Sequence, residues 1–131
     1  MNTCKFCNIT EDIQYEVESA IAILDKYPVT KYHTLVIPKR HVESYFELTD
    51  VEHMDCINLI NVIKTTLCKL DDTITGFNVG TNIGKDAGQS IFHCHIHLIP
   101  RRKNDTENPR GGVRRVISKK GDWYDTNSNQ S

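Results

Sequence analysis

The sequence predicts a single compact domain of the α+β class, in which an antiparallel sheet packs against one long helix. Three observations lead to this prediction. Short β-branched and aromatic segments bounded by turn residues are typical of strands, one long segment has the apolar period of a helix, and no repeat or linker divides the 131 residues. A chain of this length buries roughly two thirds of its unfolded surface, so it folds without disulfides.

Two strands are predicted in the first forty residues. The apolar run over residues 21–24 ends at a proline-containing turn. Residues 32–37 are rich in β-branched and aromatic side chains, and Pro38 stops this second strand. His33 lies inside the second strand and His41 follows it, so we expect two histidines near one strand end.

A long amphipathic helix is predicted next. Thr49 and Glu52 have the spacing of a capping box. His53 is interpreted as solvated, and Cys56 and Cys68 as packing thiols. We expect the core side of the helix to be the stripe of apolar residues that recur every three or four positions, namely Met54, Ile57, Ile60, Ile63, Leu67 and Leu70.

Three histidines alternate with apolar residues over residues 93–98, H-C-H-I-H-L. The two-residue period of a strand would place His93, His95 and His97 on one face, whereas a helix would fan them around its axis. Imidazole is easily kept neutral near pH 7, so this face is predicted to be a reaction site or a metal site. A strand over residues 77–81, expected at the sheet centre, would pair with the histidine strand. A further short strand is expected over residues 113–117.

Composition excludes several classes of protein. A net charge of −1 with 25% charged residues gives no general basic surface for nucleic acid. No apolar run is long enough to span a membrane, and the start of the chain lacks the apolar core of a signal peptide. An odd number of cysteines, five, does not suggest a secreted disulfide framework. We therefore expect a soluble protein of the reducing cytoplasm.

Cys4 and Cys7 form a C-x-x-C pair, which is half of a tetrahedral zinc site. A zinc site needs two further nitrogen or sulfur ligands, and His41 and His93 are the favoured candidates. Two other interpretations are an incidental pair of buried thiols and a redox pair. The redox pair is disfavoured because the motif precedes any βαβ unit.

Five segments, in this order along the chain, resemble the histidine triad (HIT) family. The similarity is greatest to Hint-like nucleotide-binding proteins that carry a zinc-binding C-x-x-C. It implies a HIT domain over residues 1–124 with a short N-terminal helix, followed by a polar tail over residues 125–131. The segments are C-K-F-C at 4–7, H-T-L-V-I-P-K-R-H at 33–41, N-I-G-K-D-A-G-Q-S at 82–90, the histidines at 93–97 and P-R at 100–101.

The resemblance implies a nucleotide hydrolase or transferase that forms a covalent nucleotidyl-histidine. His95 corresponds to the nucleophile, His97 and His33 lie near the phosphate, and the carbonyl of His93 holds the second ring nitrogen of the nucleophile. It also implies a purine nucleotide as partner, a homodimer formed through the long helix and an adjoining strand, and a structural zinc on Cys4, Cys7, His41 and His93. Family positions map the ribose onto Asp25 and the phosphates onto Asn82, Gln89 and Ser90.

Several functions fit these residues. The first is a phosphoramidase that acts on purine nucleoside 5′-phosphoramidates or adenylates and releases AMP. The alternatives are a diadenosine tetraphosphate hydrolase and a nucleotide-binding regulatory module with little turnover. In a fourth interpretation His93, His95 and His97 bind one catalytic metal. That interpretation is disfavoured because it leaves Cys4 and Cys7 without their partners.

Overall fold

The structure, a computed structural model, describes residues 3–117. It contains a five-stranded sheet in the order β1-β2-β3-β5-β4, and every neighbouring pair of strands is antiparallel. One long helix packs on this sheet, so the predicted α+β class is confirmed. The elements are β1 (Ile13–Glu16), β2 (Ala20–Leu24), β3 (Thr34–Pro38), α1 (Asp50–Leu70), β4 (Ile74–Gly80) and β5 (Ile96–Arg102).

The two faces of the sheet are covered by different parts of the chain. Alternate residues of β2 and β3 point to opposite faces, as the strand period requires. Ala20, Ala22 and Val36 belong to the core beneath α1, together with Ile96 and Leu98 of β5. The opposite face buries a second cluster, against which the N-terminal segment packs, formed by Ile21, Ile23, Leu35 and Ile37 with Phe6, Ile9 and Ile13 at its margin.

The helix begins as predicted but presents a different stripe to the sheet. The Thr49 hydroxyl accepts from the Glu52 N–H, and the Glu52 carboxylate accepts from the Thr49 N–H, which completes the capping box. Ile63 and Leu67 are buried as expected. Met54, Ile57 and Leu70 are exposed by 57%, 49% and 63%, and Cys56 and Leu59 fill the core instead. Apolar residues occupy more than one flank of this helix, so their period did not determine which flank faces the sheet.

The prediction of one strand carrying all three histidines is wrong. His97 lies in β5, whereas His93 and His95 precede it in an extended segment outside the ladder. The Cys94 N–H donates to the carbonyl of Val42 (2.6 Å), which places this segment beside the loop after β3. Cys94 is buried with Val42, so the inward alternation of apolar residues persists where the ladder ends.

Three smaller expectations also differ from the structure. Residues 5–8 form a turn, and no helix is seen in the described N-terminal residues. Gly112–Val116 forms a 3-10 helix where a strand was expected, beginning after Gly111 at a positive φ of 91°. β4 lies at the edge of the sheet, not at its centre.

The end of the predicted domain, residues 118–124, and the predicted tail, residues 125–131, lie outside the described part of the chain. Within that part, no helix is both long and apolar enough to cross a bilayer.

An ion pair joins the start of α1 to the loop that follows β3. The Glu52 side chain is buried, and the guanidinium of Arg40 donates to its two oxygens at 2.8 and 3.0 Å. These hydrogen bonds are the main reason why the pKa of Glu52 falls to about 2. His41 is the next residue after Arg40, so this ion pair also fixes the approach of His41 to its neighbours.

Replacing Glu52 with Gln is expected to lower the free energy of unfolding at pH 7 by about 1 kcal/mol, a modest value because the Arg40 guanidinium is half-exposed. The folded pKa of Glu52 lies below its unfolded value, so its stabilisation is complete above the unfolded pKa and is lost as the pH falls through the folded pKa. The difference between wild type and variant should therefore shrink between about pH 4.5 and about pH 2, in urea unfolding at a series of pH values.

Glu16→Gln is the matched control, since it breaks an exposed ion pair with Lys39 (2.6 Å). Solvent screens that pair, so we expect a smaller loss than for Glu52→Gln. A loss at Glu52 that did not change with pH would contradict this account of the buried carboxylate.

Candidate active site and metal centre

A cleft of about 770 Å³ opens on the sheet face opposite α1. Its walls come from the N-terminal segment, the β2–β3 loop, the β4–β5 connection and the start of β5. Seven residues were expected to take part in catalysis or nucleotide binding, and six of them line this cleft. These six are Asp25, His33, Asn82, Ser90, His95 and His97.

The seventh residue, Gln89, has a different role. Its side chain is buried, and its amide oxygen accepts from the Gly84 N–H (2.8 Å). Its amide nitrogen donates to the carbonyls of Glu43 (2.8 Å) and Ile91 (3.2 Å). Because main-chain groups occupy both ends of this amide, Gln89 braces the β4–β5 connection, and it is not among the residues that line the cleft.

His95 presents an unprotonated nitrogen to the cleft. Its Nδ1 lies 2.8 Å from the carbonyl of His93, and a carbonyl oxygen can only accept, so Nδ1 carries the proton. Nε2 of the neutral ring therefore keeps its lone pair. The hydroxyl of Thr81 donates to the carbonyl of His95 (2.7 Å) and fixes the main chain at this point. An imidazole held in this way can act as a nucleophile.

His33 and His97 are hydrogen-bonded to each other, and both carry the proton on Nε2, the reverse of His95. The N–H of Val29 donates to Nδ1 of His33 (3.2 Å), so the neutral ring of His33 carries its proton on Nε2. That Nε2–H lies 2.9 Å from Nδ1 of His97 and donates to it. His97 must then carry its own proton on Nε2. His97 is thereby a hydrogen-bond donor, whereas His95 offers a lone pair.

Burial keeps these two histidines neutral. It is the main cause that lowers the pKa of His97 to about 4, and the nearby His95 and His33 lower it further. Burial also lowers the pKa of His33, although the carboxylate of Asp25, 3.5 Å away, opposes this effect. Asp25, His33 and His97 are close enough to suggest a metal site. The proton on Nε2 of His33 instead makes the group a hydrogen-bonded chain.

A second group of side chains lies next to the cleft. Cys4, Cys7, His41 and His93 each bring one ligand atom within 4.8 Å of all the others. Nε2 of His93 lies 2.7 Å from the carbonyl of Pro38 and donates to it, which leaves the Nδ1 lone pair facing the two thiols. The Nδ1 atoms of His41 and His93 are 3.2 Å apart, and Sγ of Cys7 lies 3.2 to 3.4 Å from both.

These four residues fit a zinc ion. Two sulfur and two nitrogen ligands are the donor set of a closed structural site. Bonds of about 2.0 to 2.3 Å around a tetrahedral ion separate the ligands by roughly 3.3 to 3.8 Å, close to the spacings found here. The predicted ligand set is therefore together in space, and the cluster is consistent with zinc. None of the five cysteines forms a disulfide, so Cys4 and Cys7 are not joined to each other.

The interpretation in which all three triad histidines bind one metal does not fit. The side chain of His93 faces the cysteines, and Nδ1 of His95 is hydrogen-bonded to the main chain. Among the described residues, neither potential metal-binding group contains His95.

Four contributors to the site were not identified from the sequence. The N–H of Val29 and the carbonyl of Pro38 are main-chain groups, which no side-chain pattern reveals. Thr81 follows β4 directly. Since the strand over residues 77–81 was expected to pair with the histidine strand, the sequence could have indicated that the Thr81 hydroxyl lies near the histidines. Phe6 lies between Cys4 and Cys7 in the sequence, and its ring contacts His95 edge-on with 4.9 Å between the ring centroids.

The model of the HIT domain matches residues 7–104. The chain belongs to the HIT family. An uncharacterized HIT-like protein of Saccharolobus solfataricus is 38% identical over 79% of this chain and 78% of its own length. A histidine triad nucleotide-binding protein of Sulfolobus tokodaii, solved by crystallography, is 38% identical and superposes with a TM-score of 0.68 over 80% of this chain and 73% of that protein. An adenylylsulfatase of Arabidopsis thaliana is 34% identical over 79% of this chain and 55% of its length.

The metal centre leads to a direct prediction. Purified wild-type protein should contain about one Zn²⁺ per chain, measured by atomic emission. Cys7→Ser is expected to lose the metal, since it removes a thiolate ligand. Cys68→Ser is the matched control, because Cys68 packs against the core of α1 and should leave the metal in place. His95→Asn should also retain it. Loss of zinc from His95→Asn would contradict the division between the metal centre and the cleft.

Proposed function

We propose that this HIT protein is a nucleotide hydrolase or transferase that cleaves at the α-phosphate of purine nucleoside 5′-phosphoramidates or adenylates and releases AMP. The observation that carries the proposal is that two neighbouring imidazoles in one cleft have their protons on different nitrogens. His95 offers a lone pair for attack on phosphorus, and His97 offers an N–H for an oxygen of the phosphate or for the leaving group.

The reaction proceeds in two displacements. Nε2 of His95 attacks the α-phosphorus, the bond from phosphorus to the leaving group breaks, and the leaving group departs with the bonding pair. The product of this step is AMP linked to Nε2 through a phosphorus–nitrogen bond. Water then attacks the same phosphorus, the bond to Nε2 breaks, and AMP is released with His95 restored. Zinc, when bound, supplies structural order beside the cleft.

The remaining lining fits the rest of a nucleotide. One oxygen of Asp25 accepts from the Tyr27 N–H (2.9 Å) and the other lies 3.5 Å from His33, so this carboxylate keeps free lone pairs for ribose hydroxyls. Asn82 and Ser90 line the cleft, and neutral donors of this kind can bind phosphate oxygens. Apolar side chains line the same cleft and suit a purine ring, namely Phe6, Ile9, Ile23 and Leu35.

Two other functions use the same residues. A dinucleoside polyphosphate hydrolase would attack the same phosphorus and differ only in its leaving group. A nucleotide-binding regulatory module would bind AMP with little turnover. The similarity to an adenylylsulfatase supports an adenylyl group as the part of the substrate that is held, with the leaving group variable. We also propose a location in a reducing cytoplasm, which the odd number of cysteines, five, supports.

The first test compares turnover of adenosine 5′-phosphoramidate and diadenosine tetraphosphate by wild type and His95→Asn. We expect the phosphoramidate to be the better substrate and the variant to lose at least about 10³-fold in kcat, because the nucleophile is removed. Intact-mass measurement during turnover should detect AMP attached to wild type and not to the variant.

His53→Asn serves as the control, since this histidine lies on α1, where its ring contacts Tyr45 and not the cleft. It should keep wild-type activity. Full activity of His95→Asn would overturn the mechanism. A wild type that binds AMP but turns over neither compound would support the regulatory module.

We also propose that the protein forms a twofold homodimer through α1 and β4. Met54 and Ile57 are about half-exposed on one flank of the helix, and Val79 of β4 is 47% exposed. Asp55 joins the other flank to Ser19 at the β1–β2 turn, so Ile57 faces the β4 side. Within residues 3–117, β5 is the one strand that pairs with β4, so the other edge of β4 has no strand partner there and could pair with a second copy.

Ile57→Glu is expected to convert the dimer to a monomer, because an unpaired charge would be buried in the interface. Light scattering coupled to gel filtration measures the mass in solution. Val62→Glu is the control, since Val62 is similarly exposed (43%) but lies on a different flank of α1. A wild type that is monomeric at every concentration tested, or an Ile57→Glu variant that remains dimeric, would contradict this interface.

A further inference from the structure

The N-terminal turn joins the metal centre to the cleft. Cys4 and Cys7 supply two of the four proposed metal ligands, and Phe6 lies between them. The ring of Phe6 contacts both His93 and His95 edge-on, with centroid distances of 6.0 and 4.9 Å. Phe6 and its neighbours over residues 8–12 also form one wall of the cleft. A single short turn therefore touches both sites.

Hydrogen bonds of Asn8 connect the two ends of this turn. The amide of Asn8 donates to the carbonyl of Cys4 (2.7 Å), and its N–H makes a long bond of 3.4 Å to Lys5. Phe6 is only partly buried and packs at the margin of the second core cluster. A metal bound by Cys4 and Cys7 would fix the turn on both sides of Phe6. The two bonds to the metal would restrict the conformations of residues 4–7 and so order this wall of the cleft.

We propose that metal binding and nucleotide binding are coupled through Phe6, which positions His95 and closes one wall of the cleft when the metal is bound. The inference rests on the proposed nucleotide binding and adds its regulation by the metal. Loss of the metal frees the turn from two tethers, so Phe6 leaves the cleft and the nucleotide loses an ordered wall. Coupling of binding free energies is reciprocal, so a bound nucleotide must raise the metal affinity by the same factor.

The test measures metal affinity directly. Zinc-loaded full-length protein is titrated with a colorimetric chelator in the presence and absence of saturating AMP. We expect AMP to raise the apparent zinc affinity by about 5- to 150-fold, the usual range for coupled sites. Phe6→Ala should still bind zinc, but its AMP effect should fall close to onefold. Phe6→Leu should restore part of the effect, since it returns apolar bulk to the wall.

Phe46→Ala is the matched control. Phe46 is 77% exposed in the short helix before α1, where its ring contacts Tyr45, so the variant should show the full AMP effect. Any direct binding of Zn²⁺ by AMP is the same in every variant and cancels in the comparison.

Calorimetry of AMP binding to the same zinc-loaded samples separates the possible failures. AMP that binds without changing the zinc affinity overturns the coupling and leaves the proposed function intact. An AMP effect that persists undiminished in Phe6→Ala overturns the route through Phe6. If AMP does not bind at all, both the proposed function and this inference are overturned.

Discussion

Main-chain groups decide which nitrogen of each imidazole carries the proton, and the chemistry of both sites depends on that assignment. The carbonyls of Pro38 and His93 can only accept a hydrogen bond, and the N–H of Val29 can only donate one. These three contacts direct the Nδ1 lone pair of His93 toward the cysteines. They also direct a lone pair of His95 and an N–H of His97 into the cleft. A side chain that supplied the same contact would titrate or rotate, whereas the backbone does neither.

His93 shows how closely the two sites are joined. Its ring belongs to the Cys/His cluster, while its carbonyl accepts from the ring of His95, so a shift of its backbone affects both. The residue between the two histidines, Cys94, is buried, and its N–H is bonded to Val42. Burial also raises the pKa of this thiol to about 11, so it stays protonated and acts as an apolar anchor. The anchored Cys94 holds the two histidines in an extended conformation without a strand partner.

The sequence predicted the class of fold, the long helix and a set of side chains of which six line one cleft and four form one Cys/His cluster, because alternating histidines and a C-x-x-C pair are sparse, specific patterns. It failed where side-chain patterns are ambiguous or uninformative. The apolar stripe of α1 was assigned to the wrong flank at Met54 and Ile57, since apolar residues surround much of the helix. The amide of Gln89 is hydrogen-bonded to main-chain groups of a folded loop, and no local pattern in the sequence specifies such partners.

The uncharged state of His33 and His97 bears on which feature of a substrate the proposed site would distinguish. Burial keeps His33 and His97 uncharged, so in the proposed reaction the phosphate would meet oriented neutral donors at these two positions. An α-phosphate that is esterified to ribose and bonded to a leaving group carries a single negative charge, which such donors stabilise without a compensating cation. Phosphoramidates, adenylates and dinucleoside polyphosphates share this phosphate. Selection among them would therefore come from the groups that contact the leaving group and not from the attack of His95 on phosphorus.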